Sequence, residues 1–91
     1  MKIKIGRRTY QAFPVHALKR SRVGEINYDD KTIFITYKGR SNKQVREAFW
    51  HEVTHAILHD MGKQGAAANN EPFVTAFAAR LDRAIKTARF E

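Results

Sequence analysis

The chain has 91 residues, with 17 Lys and Arg against 9 Asp and Glu, a formal charge of +8 at pH 7. That length leaves room for one hydrophobic core, so a single domain over residues 1–91 is expected. Hydrophobic residues at 43% exclude a disordered basic tail, and zero Cys excludes disulfides and thiolate metal sites. The apolar runs are too short for a bilayer, so no membrane partner is expected. The first residues lack the apolar stretch of a secretory signal, and the expected location is cytoplasmic. The surplus positive charge points first to an anionic partner such as nucleic acid.

Residues 1–5 alternate Lys and Ile, the two-residue period of a half-buried strand. A short extended piece over 10–15 ends at Pro14. Residues 24–28 and 32–37 read as the two arms of a hairpin, joined by the turn chemistry of Asp29, Asp30 and Lys31. Ser41 and Gln44 then form a capping box that opens a helix over 42–60. Its core arc is expected to carry Val45, Phe49, Trp50, Val53, Ala56 and Ile57. Residues 60–70, with Gly62 and Gly65, read as a loop. A second helix follows over 72–88, with Phe73, Phe77, Leu81 and Ile85 as its apolar stripe. Strands first and helices after make an α+β order, here a small antiparallel sheet or hairpin packed on the two helices.

The first helix carries His51-Glu52-Val53-Thr54-His55, an HExxH sequence. Histidines four apart on a helix are neighbours, roughly 5–6 Å between Cβ atoms, so both imidazoles reach one Zn²⁺. Glu52 is turned about 100° from His51 and borders that face, where it can serve as general base. Catalytic zinc usually keeps three protein ligands. His59 lies about 12 Å along the axis from His51, too far to share one ion comfortably. Glu71 opens the second helix, and an antiparallel return of the chain brings its carboxylate to the histidine pair. Asp82, three turns on, is expected to pair with a nearby Arg.

Around these residues the chain resembles a known family. The segments Gly24-Glu25-Ile26-Asn27-Tyr28-Asp29, Lys31-Thr32-Ile33-Phe34-Ile35 and Phe49-Trp50-His51-Glu52-Val53-Thr54-His55-Ala56-Ile57-Leu58 look like those of small bacterial and phage zincins, the ImmA/IrrE-like metallopeptidases. The resemblance covers roughly residues 23–82. It implies a minimal zincin-like fold in which a β-sheet packs on the active-site helix and a following helix supplies a glutamate, as in gluzincins. His51 and His55 match the metal ligands, Glu52 the catalytic glutamate and Glu71 the third ligand. The metzincin pattern fails, since Leu58 and Met61 stand at its glycine and third-histidine positions.

The expected activity is zinc-dependent hydrolysis of peptide bonds in a protein or peptide substrate, with Glu52 moving the proton. His59, Tyr28 and Tyr37 are the candidates for an oxyanion donor or a supporting residue beside the site. Residues 32–37 are a candidate edge strand for an extended substrate. The alternative is a basic nucleic-acid- or protein-binding module with a structural or vestigial zinc site. Its nucleic-acid contacts would be Arg7, Arg8, Lys19, Arg20 and Arg22, with Arg80, Arg83, Lys86 and Arg89 as a second basic face. No helix-turn-helix, zinc-finger or RNA-binding aromatic signature accompanies them.

Overall fold

The computed structural model describes residues 1–62 and 70–89. Strand β1 (Lys2–Ile5) is followed by β2 (Arg8–Val15), a short 3₁₀ turn (Lys19–Ser21), β3 (Gly24–Asn27) and β4 (Thr32–Thr36). Helices α1 (Asn42–Asp60) and α2 (Glu71–Thr87) complete the α+β order read from the sequence. Most of the loop expected over 60–70 falls on residues 63–69, outside the described residues.

The four strands form one sheet in the order β1-β2-β4-β3. β1 and β2 are antiparallel, and so are β3 and β4, the expected hairpin. The two pairs join through a parallel β2–β4 contact, so the sheet is mixed and not antiparallel throughout. The parallel register needs β2 to run past Pro14, where the sequence suggested an end. Alternation along β2 explains how it does so. The Gln11 amide donates to Lys31 on the β4 side, and the Ala12 amide donates to Met1 on the β1 side. The nitrogen of Pro14 therefore faces beyond the start of β1, where it has no ladder bond to lose. The topology also moves residues 32–37 from the expected edge to the interior. The free edge on this side belongs to β3.

One face of the sheet is covered. Ile5, Tyr10, Ala12, Ile33 and Ile35 point into a core with Ala48, Val53 and Ala56 of α1. Val45, Phe49 and Trp50 pack against it, as their periodicity predicted, while Ile57 is exposed. The opposite face meets solvent and carries a stacked Phe13–Phe34 pair, 5.7 Å between centroids. Ser41 and Gln44 form the capping box that starts α1.

α2 packs on α1 and not on the sheet. Only a narrow line of it is consequently covered: Val74, Ala78 and Asp82, at i, i+4 and i+8. Of the expected stripe, Phe73, Phe77 and Ile85 face elsewhere, 45–48% exposed, and Leu81 is half-buried. A helix with a single helical neighbour buries a seam, and the wider apolar arc is left over. Asp82 sits in that seam, and its carboxylate accepts a hydrogen bond from Arg46 Nε at 3.0 Å. Arg46→Met leaves this buried carboxylate unpaired and is expected to cost about 2–4 kcal/mol in urea melts. The double change Arg46→Met/Asp82→Leu is expected to recover most of that loss. Recovery would be missing if the pair acted only through packing of the Arg stem.

Candidate metal centre

α1 presents His51 and His55 one turn apart on the side facing α2. Asn70 caps α2, its side chain accepting from the Phe73 amide, and Glu71 is thereby fixed at the first turn of α2. Its carboxylate reaches across to both imidazoles. His51 Nε2 lies 2.9 Å from one Glu71 oxygen, and His55 Nε2 lies 2.9 Å from the other. The two Nε2 atoms are 3.3 Å apart. His51, His55 and Glu71 form a group able to hold a metal ion. Zinc bonds of 2.0–2.1 Å in a tetrahedron separate ligand atoms by about 3.3–3.4 Å, which matches the Nε2–Nε2 separation, while the two imidazole–carboxylate contacts are at hydrogen-bond distance. Two imidazole nitrogens and a carboxylate oxygen are also a donor set that zinc accepts. The residues present therefore fit the ion.

The electrostatics suit that use. Burial lowers the pKa of His51 against the opposing pull of Glu71, which favours the neutral imidazole a metal requires. Thr75 of α2 places its hydroxyl 3.5 Å from His51 Nδ1, on the far side of the ring from Glu71. The sequence placed Glu71 here through the antiparallel return of α2, but it gave no sign of Thr75.

Glu52 is 7% exposed, second in burial only to Asp82 among the carboxylates of the described residues. Burial, reinforced by the Glu71 carboxylate and opposed by Arg22, raises its pKa from 4.5 to about 7. It is held against the start of β3. A methyl group on Gly24 would lie 3.0 Å from Glu52 Oε2, 3.1 Å from Ile35 Cδ1 and 3.2 Å from Glu52 Cγ. A glycine opening a strand is a known sign of close approach, and here it is the seat of the glutamate.

These groups line one cleft of about 700 Å³ between β3, α1 and α2. Tyr28 lines it just beyond the end of β3 and stacks on His59 at 4.2 Å between centroids. Burial raises the Tyr28 pKa, and the Glu52, Tyr10 and Glu71 charges add to that, so its hydroxyl stays a donor. His59 stands behind Tyr28 and does not line the cleft. Tyr37 is 42% exposed and packs edge-on against His16, also away from the cleft. Of the three candidate donors, the fold brings Tyr28 to the site.

The basic residues are divided. Arg7 and Arg8 are at one end of β2, where Arg8 pairs with Asp60 at 3.3 Å. Lys19, Arg20 and Arg22 follow its other end, roughly 23 Å away at the rise of a strand. Arg22 turns into the cleft and pairs with Glu25 at 3.4 Å. Arg40, which the sequence did not single out, lines the cleft as well. Among the described residues no helix is long and apolar enough to cross a membrane. Compared with protein-family models, curated proteins and solved structures, the chain matches none of them.

Proposed function

We propose that this protein is a zinc-dependent peptidase acting in the cytoplasm, with His51, His55 and Glu71 as ligands and Glu52 as general base. The observation that carries this reading is the Glu71 carboxylate reaching both imidazoles beside a buried glutamate in an open cleft. A structural metal site has no use for Glu52, whose burial in the ionised form costs stability.

Zinc bound there supplies the Lewis acidity that makes water nucleophilic near neutral pH and polarises a scissile carbonyl. The chain's own residues do the rest. Glu52 accepts a proton from the attacking water and passes it to the departing amine. In the metal-free protein burial and the Glu71 charge raise its pKa, while Arg22 favours its ionised form. Tyr28 offers its hydroxyl to the oxygen on which negative charge develops. The free edge of β3 offers backbone groups to an extended peptide laid along the cleft.

Gly24 is then a positioning residue. Gly24→Ala forces Glu52 or Ile35 to give way and is expected to lower kcat/KM by about 10–100-fold. Zinc affinity is expected to stay within about threefold of the parent, because the three atoms nearest to that position belong to Glu52 and Ile35 and not to a ligand. Loss of metal together with rate would assign the damage to the fold instead. The reading itself is tested with a proteome-derived peptide mixture analysed by mass spectrometry. The zinc-loaded wild type is expected to cut it and the Glu52→Gln protein is not. An uncut mixture would refute the peptidase reading.

A further inference from the structure

The cleft continues past the metal ligands to the N-terminal end of α1. Gln44, Glu47 and Ala48 line it there, together with Arg22 and Arg40. Two arginines and two glutamates line this end, and the arginines are not equally engaged. Glu25 is taken by Arg22 at 3.4 Å, and Glu47 faces Lys43 at 3.9 Å. Arg40 is in no ion pair among the described residues. Among the described residues its one side-chain hydrogen bond runs from Nη2 to the Gln44 carbonyl at 3.2 Å, and its buried Nε has no partner. A guanidinium carries five donors in a planar fork suited to a carboxylate, and most of this fork is unused. Arg22 adds a second cation whose bond to exposed Glu25 is weak and open to exchange.

We infer that this end of the cleft is a subsite for an acidic side chain of the peptide, held by Arg40 with Arg22 beside it. The inference rests on the peptidase reading for its peptide and adds the chemical class that the cleft prefers. The spacing is set by the helix. Gln44 precedes His51 by seven residues, about 10 Å along the axis. An extended peptide advances about 3.3 Å per residue, so the Asp or Glu lies about three residues from the bond that is cut. Arg22 and Arg40 are the two arginines of a cleft that Glu25, Glu47, Glu52 and Glu71 also line, so an acidic side chain is accepted only at this end.

Binding without turnover tests it. The zinc-loaded Glu52→Gln protein is titrated with fluorescein-labelled Ala-based decapeptides in which one Glu is moved along the chain, and with matched Gln peptides. At the favoured position the Glu peptide is expected to bind at least tenfold tighter than its Gln partner. Arg40→Gln on the same background is expected to reduce that preference below threefold, with Arg40→Lys retaining part of it. If Arg40→Gln fails to fold, Arg22→Gln carries the same test with a smaller expected loss. Equal binding of Glu and Gln peptides, or a preference that survives both substitutions, overturns the subsite. Binding preference without any cleavage by the wild type would refute the peptidase reading and leave the subsite standing. Cleavage without acidic preference would do the reverse.

Discussion

Glu52→Gln is expected to reduce peptide hydrolysis by three orders of magnitude or more while leaving zinc in place. The amide keeps the size of the side chain and its seat against Gly24 but cannot accept and return a proton. The same substitution has an opposite and independent effect on the metal-free fold. The Glu52 pKa is raised from 4.5 to about 7 by burial and by Glu71. The folded protein then binds this proton more tightly than the unfolded chain. Stability is full below about pH 4.5, falls as pH rises through about 7, and stays reduced above it. The difference amounts to roughly 3 kcal/mol. Metal-free Glu52→Gln is therefore expected to be more stable than wild type at pH 8 and equal to it near pH 4. Thermal melts at the two pH values check this. A mutant less stable at pH 8 would mean that Glu52 is held by favourable contacts and not strained by burial. Loss of rate with a gain in stability is the signature of a residue kept for chemistry.

Removing a ligand is expected to have the second large effect. Glu71→Ala deletes the group that joins α2 to both imidazoles, and zinc affinity is expected to fall by more than 100-fold. The fold feels the loss as well. Ligand binding to the folded state alone contributes about 2.7 kcal/mol at 100 times Kd. For a domain of this size that corresponds to roughly 10–20 °C in Tm. A chelator is expected to lower the Tm of the wild type by that amount and to leave Glu71→Ala unchanged. His55→Ala, which removes a ligand from α1, is expected to behave in the same way. A Tm indifferent to chelator in the wild type would mean that the three side chains hold no ion.

The contrast between what the sequence disclosed and what it concealed follows the range of the interactions. Helix α1 was legible because its signals are local: the Ser41–Gln44 box, the four-residue histidine spacing and an apolar periodicity. The β3–β4 hairpin was legible for the same reason, through its turn residues. The β2–β4 pairing was not, since a parallel contact between strands separated in sequence leaves no local mark, and Pro14 argued against it. The same gap made residues 32–37 look like an edge. Periodicity on α2 identified a helix but misjudged its buried face, because how many neighbours a helix has is a property of the whole fold. At the site, Glu71 could be reached by counting turns and reversing the chain. Gly24, Thr75 and Arg40 could not, for each matters only through what packs against it. The charge of +8 was the most conspicuous feature of the composition. The structure divides the predicted nucleic-acid contacts between the two ends of β2 and turns Arg22 into the cleft.

Native mass spectrometry of the metal-stripped protein titrated with zinc tests the central claim most directly. The wild type and Glu52→Gln are each expected to take up one zinc per chain, and Glu71→Ala and His55→Ala none at the same concentration. A wild type that stays metal-free, or a Glu71→Ala protein that binds zinc as well as the wild type, would contradict it.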